Sequence, residues 1–193
     1  MQRGREALPR NHHWDRRFMW MELQHGRFYP DAPERSSYDI NDIAHALSLI
    51  CRYAGHGRFF LSVAQHCVEV EQAVRPRSLR LRRWALLHDA AEAYVVDMPS
   101  PVKHLPQMKP YRDLEARVLA SIAREFGLDM PEPPEVKRAD RRVGRAEAEL
   151  LGLLRSDWPN YDMAPLPHEL KPLTPMEAEQ QFLSAVRLLW RDP

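Results

Sequence analysis

The chain has 193 residues, of which 28 are basic and 27 acidic, and its formal net charge is +1. This length favours a single domain with its own core, and the balanced charge gives no field that would attract nucleic acid or a membrane surface. The two cysteines, Cys51 and Cys67, are too few for a disulfide framework and are expected to be buried thiols in a reducing compartment. The sequence contains neither an apolar signal segment nor an apolar run of membrane-spanning length. We therefore expect a cytoplasmic protein with no membrane partner and no specific nucleic-acid partner.

The first 37 residues carry no helical pattern and are predicted to form an N-terminal arm (1–37) laid over the body. A short extended piece is predicted at residues 27–29. The first helix is predicted over residues 40–54, because Asp39 can cap it and apolar residues recur at helical spacing. Gly55 is expected to end this helix.

Two further helices are predicted after a short connection. The second covers residues 63–74, where Ser62 can cap the helix and apolar residues again recur every three to four positions. The third runs from Ser78 to about residue 95 on the same grounds. Residues 97–110 contain four prolines and are predicted to form a loop.

The second half of the chain repeats this alternation of helices and proline-rich connections. One helix is predicted from Pro110, which suits a first helical turn, to about residue 126, where Gly127 stops it. Another is predicted over residues 134–154. The segment 156–175 holds five prolines and is long for a loop in a compact domain, so it is predicted to be a lid or a packed excursion.

The last predicted helix opens with a capping box formed by Thr174 and Glu177, with Pro175 at the first helical position. We find no internal repeat and almost no alternation of the kind that a surface strand shows. The predicted fold class is all-α. Its parts are the arm (1–37), a helical core (38–155), and a proline-rich segment with a C-terminal helix that packs on the core (156–193).

Four polar residues fall on the apolar faces of three predicted helices: His66, the adjacent pair His88 and Asp89, and Asp140. Burial of a polar side chain is unfavourable unless it is hydrogen-bonded, and burial of a charged one is more so. Two imidazoles and two carboxylates that point inward can satisfy one another around one divalent metal ion. These ligand types suit Co, Mn, Ni, Zn or Fe, with Mg as a further candidate.

Each of these residues alone has a simpler explanation. An inward His66 is typical of a core histidine bonded to a carbonyl group, and Asp140 could form a buried ion pair with a neighbouring arginine. His88 and Asp89 are harder to explain in this way. The side chains of adjacent helix positions point in directions about 100° apart. His88 and Asp89 can therefore reach one point only if that point lies between these two directions.

The order His, His-Asp, Asp on separate helices resembles the HD-domain metal-dependent phosphohydrolases. The local sequences sharpen the likeness: SVAQHCVEV contains His66, LLHDAAEAYVVDMPSPVK contains the His-Asp pair, and VKRADRRV contains Asp140. With DIAHALSLICRYAGHGRFFLSVAQH upstream, these segments are similar to the branch of bacterial 5′-deoxynucleotidases and phage dATP triphosphohydrolases. The resemblance spans about residues 26 to 150. It implies a single-domain HD helical bundle that binds one divalent metal ion and acts on nucleotides.

The resemblance also implies roles for particular residues. The implied metal ligands are His66, His88, Asp89 and Asp140. Glu92 matches the acid of the HDxxE motif, one helical turn after His88, and its implied role is proton transfer. Asp97 matches a second acid of the nucleotidase branch. The structural alternatives are a solvent-facing Glu92 paired with an arginine and an Asp97 that only ends a helix.

Four further positions are implied to contact the substrate. Arg52 and Tyr53 resemble an arginine–aromatic pair that contacts the nucleotide, although that branch has Trp where this chain has Tyr53. Lys103 and His56 are placed to counter phosphate charge. For these two residues, simple surface exposure is the alternative.

Together these expectations define the predicted function. The chain is expected to be an enzyme that hydrolyses (deoxy)nucleoside 5′-monophosphates to nucleoside and phosphate. One alternative is a dNTP triphosphohydrolase, dATP-like, that releases triphosphate. A second is a catalytically silent HD module that senses nucleotides. The small-molecule partner is a nucleotide in each case, and the resemblance also implies a homo-oligomer.

Overall fold

The computed structural model describes residues 19–190, and its body is built mainly from α-helices. The helices are α1 (Ile40–Leu49), α2 (Val63–Ala73), α3 (Leu79–Leu87), α4 (Glu92–Val95), α5 (Ser100–Lys103), α6 (Lys109–Glu125), α7 (Pro134–Leu150) and α8 (Pro175–Leu189). The predicted all-α fold is therefore confirmed in its coarse form, a mostly helical protein. Within the described range, no helix is long and apolar enough to cross a membrane.

A small antiparallel β-hairpin precedes the helices. Its strands are β1 (Met21–Leu23) and β2 (Gly26–Phe28). Phe28 is 1% exposed and its ring centroid lies 5.0 Å from that of Tyr94, so the hairpin contributes to the main core. The extended piece predicted at 27–29 thus belongs to a hairpin strand. The first part of the predicted arm lies outside the described residues.

The first helix ends earlier than predicted. α1 stops at Leu49, and the chain then becomes extended, with the Arg52 amide donating to the Leu61 carbonyl at 2.8 Å. The prediction of a helix over 40–54 is wrong at its end, because apolar periodicity alone does not distinguish a buried extended piece from another helical turn. A short 3₁₀ turn, Arg52–Gly55, follows and directs Arg52 toward α7.

The third predicted helix is broken in two. α3 ends at Leu87 and α4 begins at Glu92. Between them the Ala90 amide donates to the Leu87 carbonyl at 3.0 Å and the Glu92 amide donates to the Asp89 carbonyl at 2.9 Å. These i to i−3 bonds form a tighter turn than an α-helix. The prediction of one continuous helix over 78–95 is therefore wrong, and the predicted His-Asp pair lies at this break.

α2 is the central helix of the body and packs against α1, α3, α7 and α8. Its predicted cap is confirmed, since Ser62 Oγ accepts a hydrogen bond from the Gln65 amide at 3.1 Å. Most of the helix is buried, including His66 and Cys67. A polar side chain on this helix must therefore find its partners inside the protein.

The later helices follow the prediction more closely. α6 and α7 begin within a residue of the predicted starts, and α7 ends at Leu150 rather than at residue 154. The capping box of α8 is confirmed, with the Glu177 amide donating to Thr174 Oγ1 at 3.3 Å and the Thr174 amide donating to the Glu177 carboxylate at 2.8 Å. The predicted loop 97–110 contains α5 and a 3₁₀ turn.

The proline-rich segment 156–175 packs on the body of the protein. Arg145 of α7 donates from Nε to the Tyr161 carbonyl at 3.2 Å. The segment also brings the Trp158 ring to within 6.3 Å of the Tyr53 ring, measured between centroids. It therefore adds an aromatic wall to the region that holds the candidate site.

Candidate metal centre

The four predicted metal ligands lie together where three parts of the fold meet. They come from α2 (His66), the turn between α3 and α4 (His88 and Asp89), and α7 (Asp140). His66 Nε2 lies 3.3 Å from His88 Nε2, and 3.3 Å from Asp140 Oδ1. Asp89 Oδ2 lies 3.5 Å from His66 Nε2 and 3.2 Å from His88 Nε2. His66 Nε2 is thus within 3.5 Å of a donor atom of each of the other three ligands.

Both imidazoles are oriented by an acceptor on their outer side. His66 Nδ1 lies 2.8 Å from Glu147 Oε1, and His88 Nδ1 lies 2.9 Å from the Ala85 carbonyl oxygen. A carbonyl oxygen can only accept a hydrogen bond, so His88 Nδ1 carries the proton, and the carboxylate favours the same tautomer for His66. In the neutral form of each ring, Nε2 is then the nitrogen that faces the common centre and can bind an ion there.

This donor set fits one divalent cation. Lone pairs and carboxylates that face one another at 3.2–3.5 Å repel unless a positive charge lies among them. Ligand atoms about 2.1 Å from an ion lie roughly 3.0–3.4 Å apart at octahedral or tetrahedral angles, which is close to the observed spacing. Mixed imidazole and carboxylate ligands suit Mn, Fe, Co, Ni or Zn. The four residues could therefore hold such an ion.

Cys67 lies close to the same cluster. Cys67 Sγ, one ring nitrogen of His88 and one carboxylate oxygen of Asp89 all lie within 4.8 Å of one another. These three atoms could also hold a metal ion. Cys67 is fully buried, and burial raises the pKa of its thiol. Because the thiolate and not the thiol binds a metal strongly, the His and Asp residues are the better ligand set.

The charges of the cluster favour a cation at this position. Burial alone would lower the pKa of His88, but the Asp89 carboxylate and Cys67 together outweigh burial and raise that pKa well above its ordinary value. Burial alone would raise the pKa of Asp89, yet the positive charges of His88, His66 and Arg52 lower it. Asp89 therefore stays ionised and stabilises positive charge beside it.

Glu92 and Asp97, the two predicted acid–base residues, line the cavity beside the ligands. Glu92 is 4% exposed, and its Oε2 atom is buried without a hydrogen-bond partner among the described residues. Burial, reinforced by the charges of Asp89 and Asp97, raises the pKa of Glu92 well above its ordinary value. Burial also raises the pKa of Asp97 against the opposing charge of Arg52. Such a carboxyl group, with an open oxygen and a raised pKa, is typical of proton transfer.

Arg52 and Tyr53 lie beside the candidate ligands and contact α7. Arg52 Nη1 lies 3.6 Å from Asp89 Oδ2, and Arg52 Nε donates to Glu147 Oε2 at 3.1 Å. The Tyr53 hydroxyl donates to the Gly144 carbonyl at 3.0 Å. Both side chains line the cavity, so a cation and an aromatic ring lie next to the candidate metal ligands.

Lys103 and His56 are placed differently from each other. Lys103 lines the cavity, and its Nζ atom donates to Glu115 Oε1 at 2.6 Å. His56 is exposed and is not among the residues that line the cavity. The structure thus brings Lys103 to the candidate site but leaves His56 at the surface, which was the alternative explanation for it.

The cavity beside the ligands has a volume of about 780 Å³, which is in the range of small-molecule binding sites. Sequence reasoning missed several of the side chains that line it. These are Glu115, Glu132, Lys137, Arg141, Trp158 and Asn160. Lys137 and Arg141 are neighbours of Asp140 on α7. Their position near the candidate site could therefore have been predicted from the sequence. Trp158 lies in an irregular segment whose packing the sequence does not specify.

Glu147 is a buried residue of the site that the sequence analysis also missed. It is 1% exposed and contacts His66, Arg52 and Tyr53. Burial alone would raise the pKa of Glu147, but the positive charges of Arg52 and His66 lower it, so the carboxyl group is ionised. Glu147 falls four residues after Val143 on the apolar face of α7. This was a readable signal, because an acid on a core face needs a partner.

Comparison with known proteins places the chain in a family. It is 39% identical over 159 residues to the uncharacterized protein YfdR of Escherichia coli (strain K12), an alignment that covers 81% of this chain and 86% of YfdR. It is 36% identical over 124 residues to the uncharacterized protein RCAP_rcc00048 of Rhodobacter capsulatus, covering 61% of this chain and 63% of that protein. No protein-family model matches the chain. At this identity and coverage, the chain belongs to the same family as Escherichia coli YfdR.

Proposed function

We propose that this protein is an HD-type, metal-dependent phosphohydrolase that converts (deoxy)nucleoside 5′-monophosphates to nucleoside and orthophosphate. The observation that carries the proposal is the meeting of two imidazole Nε2 atoms and two carboxylates from three parts of the fold. The resemblance of the surrounding motifs to HD-domain phosphohydrolases supports the same function. The names of the two relatives specify no activity.

The charged residues of the cavity suit a phosphate ester. A divalent ion held by the four ligands would supply Lewis acidity to a phosphoryl oxygen and would lower the pKa of a water molecule. Arg52 would add positive charge next to Asp89, and its guanidinium can donate two parallel hydrogen bonds to phosphate. Lys103 would add a second positive charge when it exchanges Glu115 for the substrate.

Glu92 is the best-placed group for the proton. In the hydrolysis, an oxygen of water forms a bond to phosphorus while the bond from phosphorus to the 5′ oxygen breaks. The Glu92 carboxyl, whose raised pKa favours its protonated form, would donate its proton to the 5′ oxygen. Its Oε2 atom, which has no hydrogen-bond partner among the described residues, would take a proton from the water. Asp97 lies on the same cavity wall and would keep the pKa of Glu92 raised by its charge.

A nucleotide fits the size and chemistry of the cavity. Its volume of about 780 Å³ is sufficient for a sugar and a base as well as a phosphate. Tyr53 and Trp158, with ring centroids 6.3 Å apart, give the cavity an aromatic wall. Aromatic rings stack on every nucleobase, so they favour a nucleotide over a simple phosphate ester without selecting the base.

One observation favours a second candidate, a dNTP triphosphohydrolase that releases triphosphate. Lys137 and Arg141 of α7 line the cavity on either side of Asp140 in the sequence, and Arg112 lines it as well. These cations would be surplus for one phosphate group but suit the larger charge of a triphosphate. The two candidates differ in their products and can therefore be separated directly.

The test is product analysis on purified protein. A panel of dNMPs, NMPs and dNTPs is incubated with Mn, Co, Ni, Zn or Mg added singly, and the products are separated by chromatography. We expect orthophosphate and nucleoside from the monophosphates. Triphosphate and nucleoside from a dNTP would establish the second candidate. Metal binding without turnover of any nucleotide would overturn both and leave a silent nucleotide-sensing module.

A further inference from the structure

Glu147 joins the candidate metal centre to the candidate phosphate-binding residues. Its Oε1 atom lies 2.8 Å from Nδ1 of the ligand His66. Its Oε2 atom accepts from Arg52 Nε at 3.1 Å and lies 3.2 Å from the Tyr53 hydroxyl, whose single proton it shares with the Gly144 carbonyl. The two oxygens of one carboxylate are thus divided between two parts of the site.

Each oxygen of the Glu147 carboxylate controls a different residue of the candidate site. The acceptor at Nδ1 keeps the proton on that nitrogen and leaves Nε2 of His66 as the ligand atom. The second oxygen holds Arg52, whose Nη1 atom lies 3.6 Å from Asp89 Oδ2. Any change in the position of this carboxylate therefore alters both a metal ligand and a phosphate donor.

A second buried glutamate provides a contrast. Glu71 on α2 is 0% exposed, and its carboxylate accepts from Arg75 at 2.7 Å and from Arg82 at 2.6 Å. Neither arginine lines the cavity, so this cluster lies outside the candidate site. Both glutamates are buried and ionically paired, and only Glu147 contacts residues of the site.

We propose that Glu147 is a positioning residue that fixes the tautomer and direction of His66 and, through its other oxygen, holds Arg52 and Tyr53 for the phosphate. This inference rests on the proposed metal centre. Metal affinity and phosphate binding are then coupled through one side chain. Because Glu147 contacts neither the ion nor the substrate, it acts only through these neighbours.

The test is the isosteric variant Glu147→Gln, with Glu71→Gln as the matched control. An amide has one acceptor oxygen, so glutamine can serve His66 or the Arg52–Tyr53 pair but not both. Loss of an orienting partner of a metal-bound histidine lowers metal affinity by about 10–100-fold, and we expect a loss of this size for Mn²⁺ by titration calorimetry. We also expect KM for the nucleotide to rise by about tenfold, because a hydrogen bond to a charged group is among the stronger ones. Glu71→Gln should change neither quantity.

The outcomes separate this inference from the proposed function. If the wild-type protein binds Mn²⁺ and Glu147→Gln binds it equally well, the positioning role is overturned and the metal centre stands. If the wild-type protein binds no divalent ion, both are overturned.

A measurement on the wild-type protein covers the case in which Glu147→Gln does not fold. Nitrogen-15 spectra of the imidazoles in the Zn²⁺-loaded protein should show His66 protonated at Nδ1. Protonation of His66 at Nε2 would overturn the inference.

Discussion

We expect the Asp89→Ala variant to lose its bound metal and its turnover together. Asp89 Oδ2 lies 3.2–3.5 Å from both imidazole Nε2 atoms, so its removal takes away a ligand and the main negative charge beside His88. The remaining cluster then has three candidate ligands and a weaker attraction for a cation. Metal content measured by elemental analysis should fall well below one ion per chain, and nucleotide hydrolysis should fall to the level of the blank.

The control for this variant is Asp42→Ala. Asp42 also has a mostly buried side chain, which is 8% exposed, and it holds His25 of the hairpin at 2.8 Å, away from the cavity. Its removal should leave metal content and turnover unchanged, and circular dichroism should show that both variants keep their helices. An Asp89→Ala protein with wild-type turnover and no metal would contradict the proposed mechanism.

The second large effect is expected from Glu92→Gln. Glutamine keeps the shape of Glu92 but cannot carry the proton. Metal content should therefore remain near the wild-type value while kcat falls by about 10²–10⁴-fold, the usual contribution of a general acid or base. KM should change little, because Glu92 is not among the residues proposed to bind the phosphate. Steady-state kinetics and elemental analysis on one preparation measure both quantities.

Glu71→Gln is again the matched control, since it also neutralises a buried glutamate. Unchanged kcat in Glu92→Gln would show that Glu92 does not carry the proton, and Asp97 would then be the acid to test. A parallel loss of metal in Glu92→Gln would instead make Glu92 part of the ligand set.

Local signals in the sequence were sufficient to predict much of the fold. The caps Ser62 and Thr174 were predicted and confirmed, because a cap depends on residues within one helical turn. The breaks after Leu49 and Leu87 were not predicted. Both depend on hydrogen bonds and packing that override a continuous apolar pattern, and that pattern extends across both breaks.

The residues of the candidate site were also predicted only in part. Polar residues on apolar helix faces identified the four candidate ligands, and the structure brings these side chains together. Trp158 could not be predicted as a cavity residue, because its position depends on how an irregular segment packs against α7. Glu147 was missed although it follows the same rule as Asp140. Two of its three partners, Arg52 and Tyr53, come from a turn that the sequence analysis had placed inside a helix.

The central claim is that nucleotide hydrolysis by this protein depends on a divalent metal held by His66, His88, Asp89 and Asp140. The most direct measurement is orthophosphate release from a deoxynucleoside 5′-monophosphate by chelator-stripped protein, before and after addition of one equivalent of Mn²⁺. We expect no release from the stripped protein and restored release after the addition. Full release by protein that elemental analysis shows to be free of metal would contradict the claim.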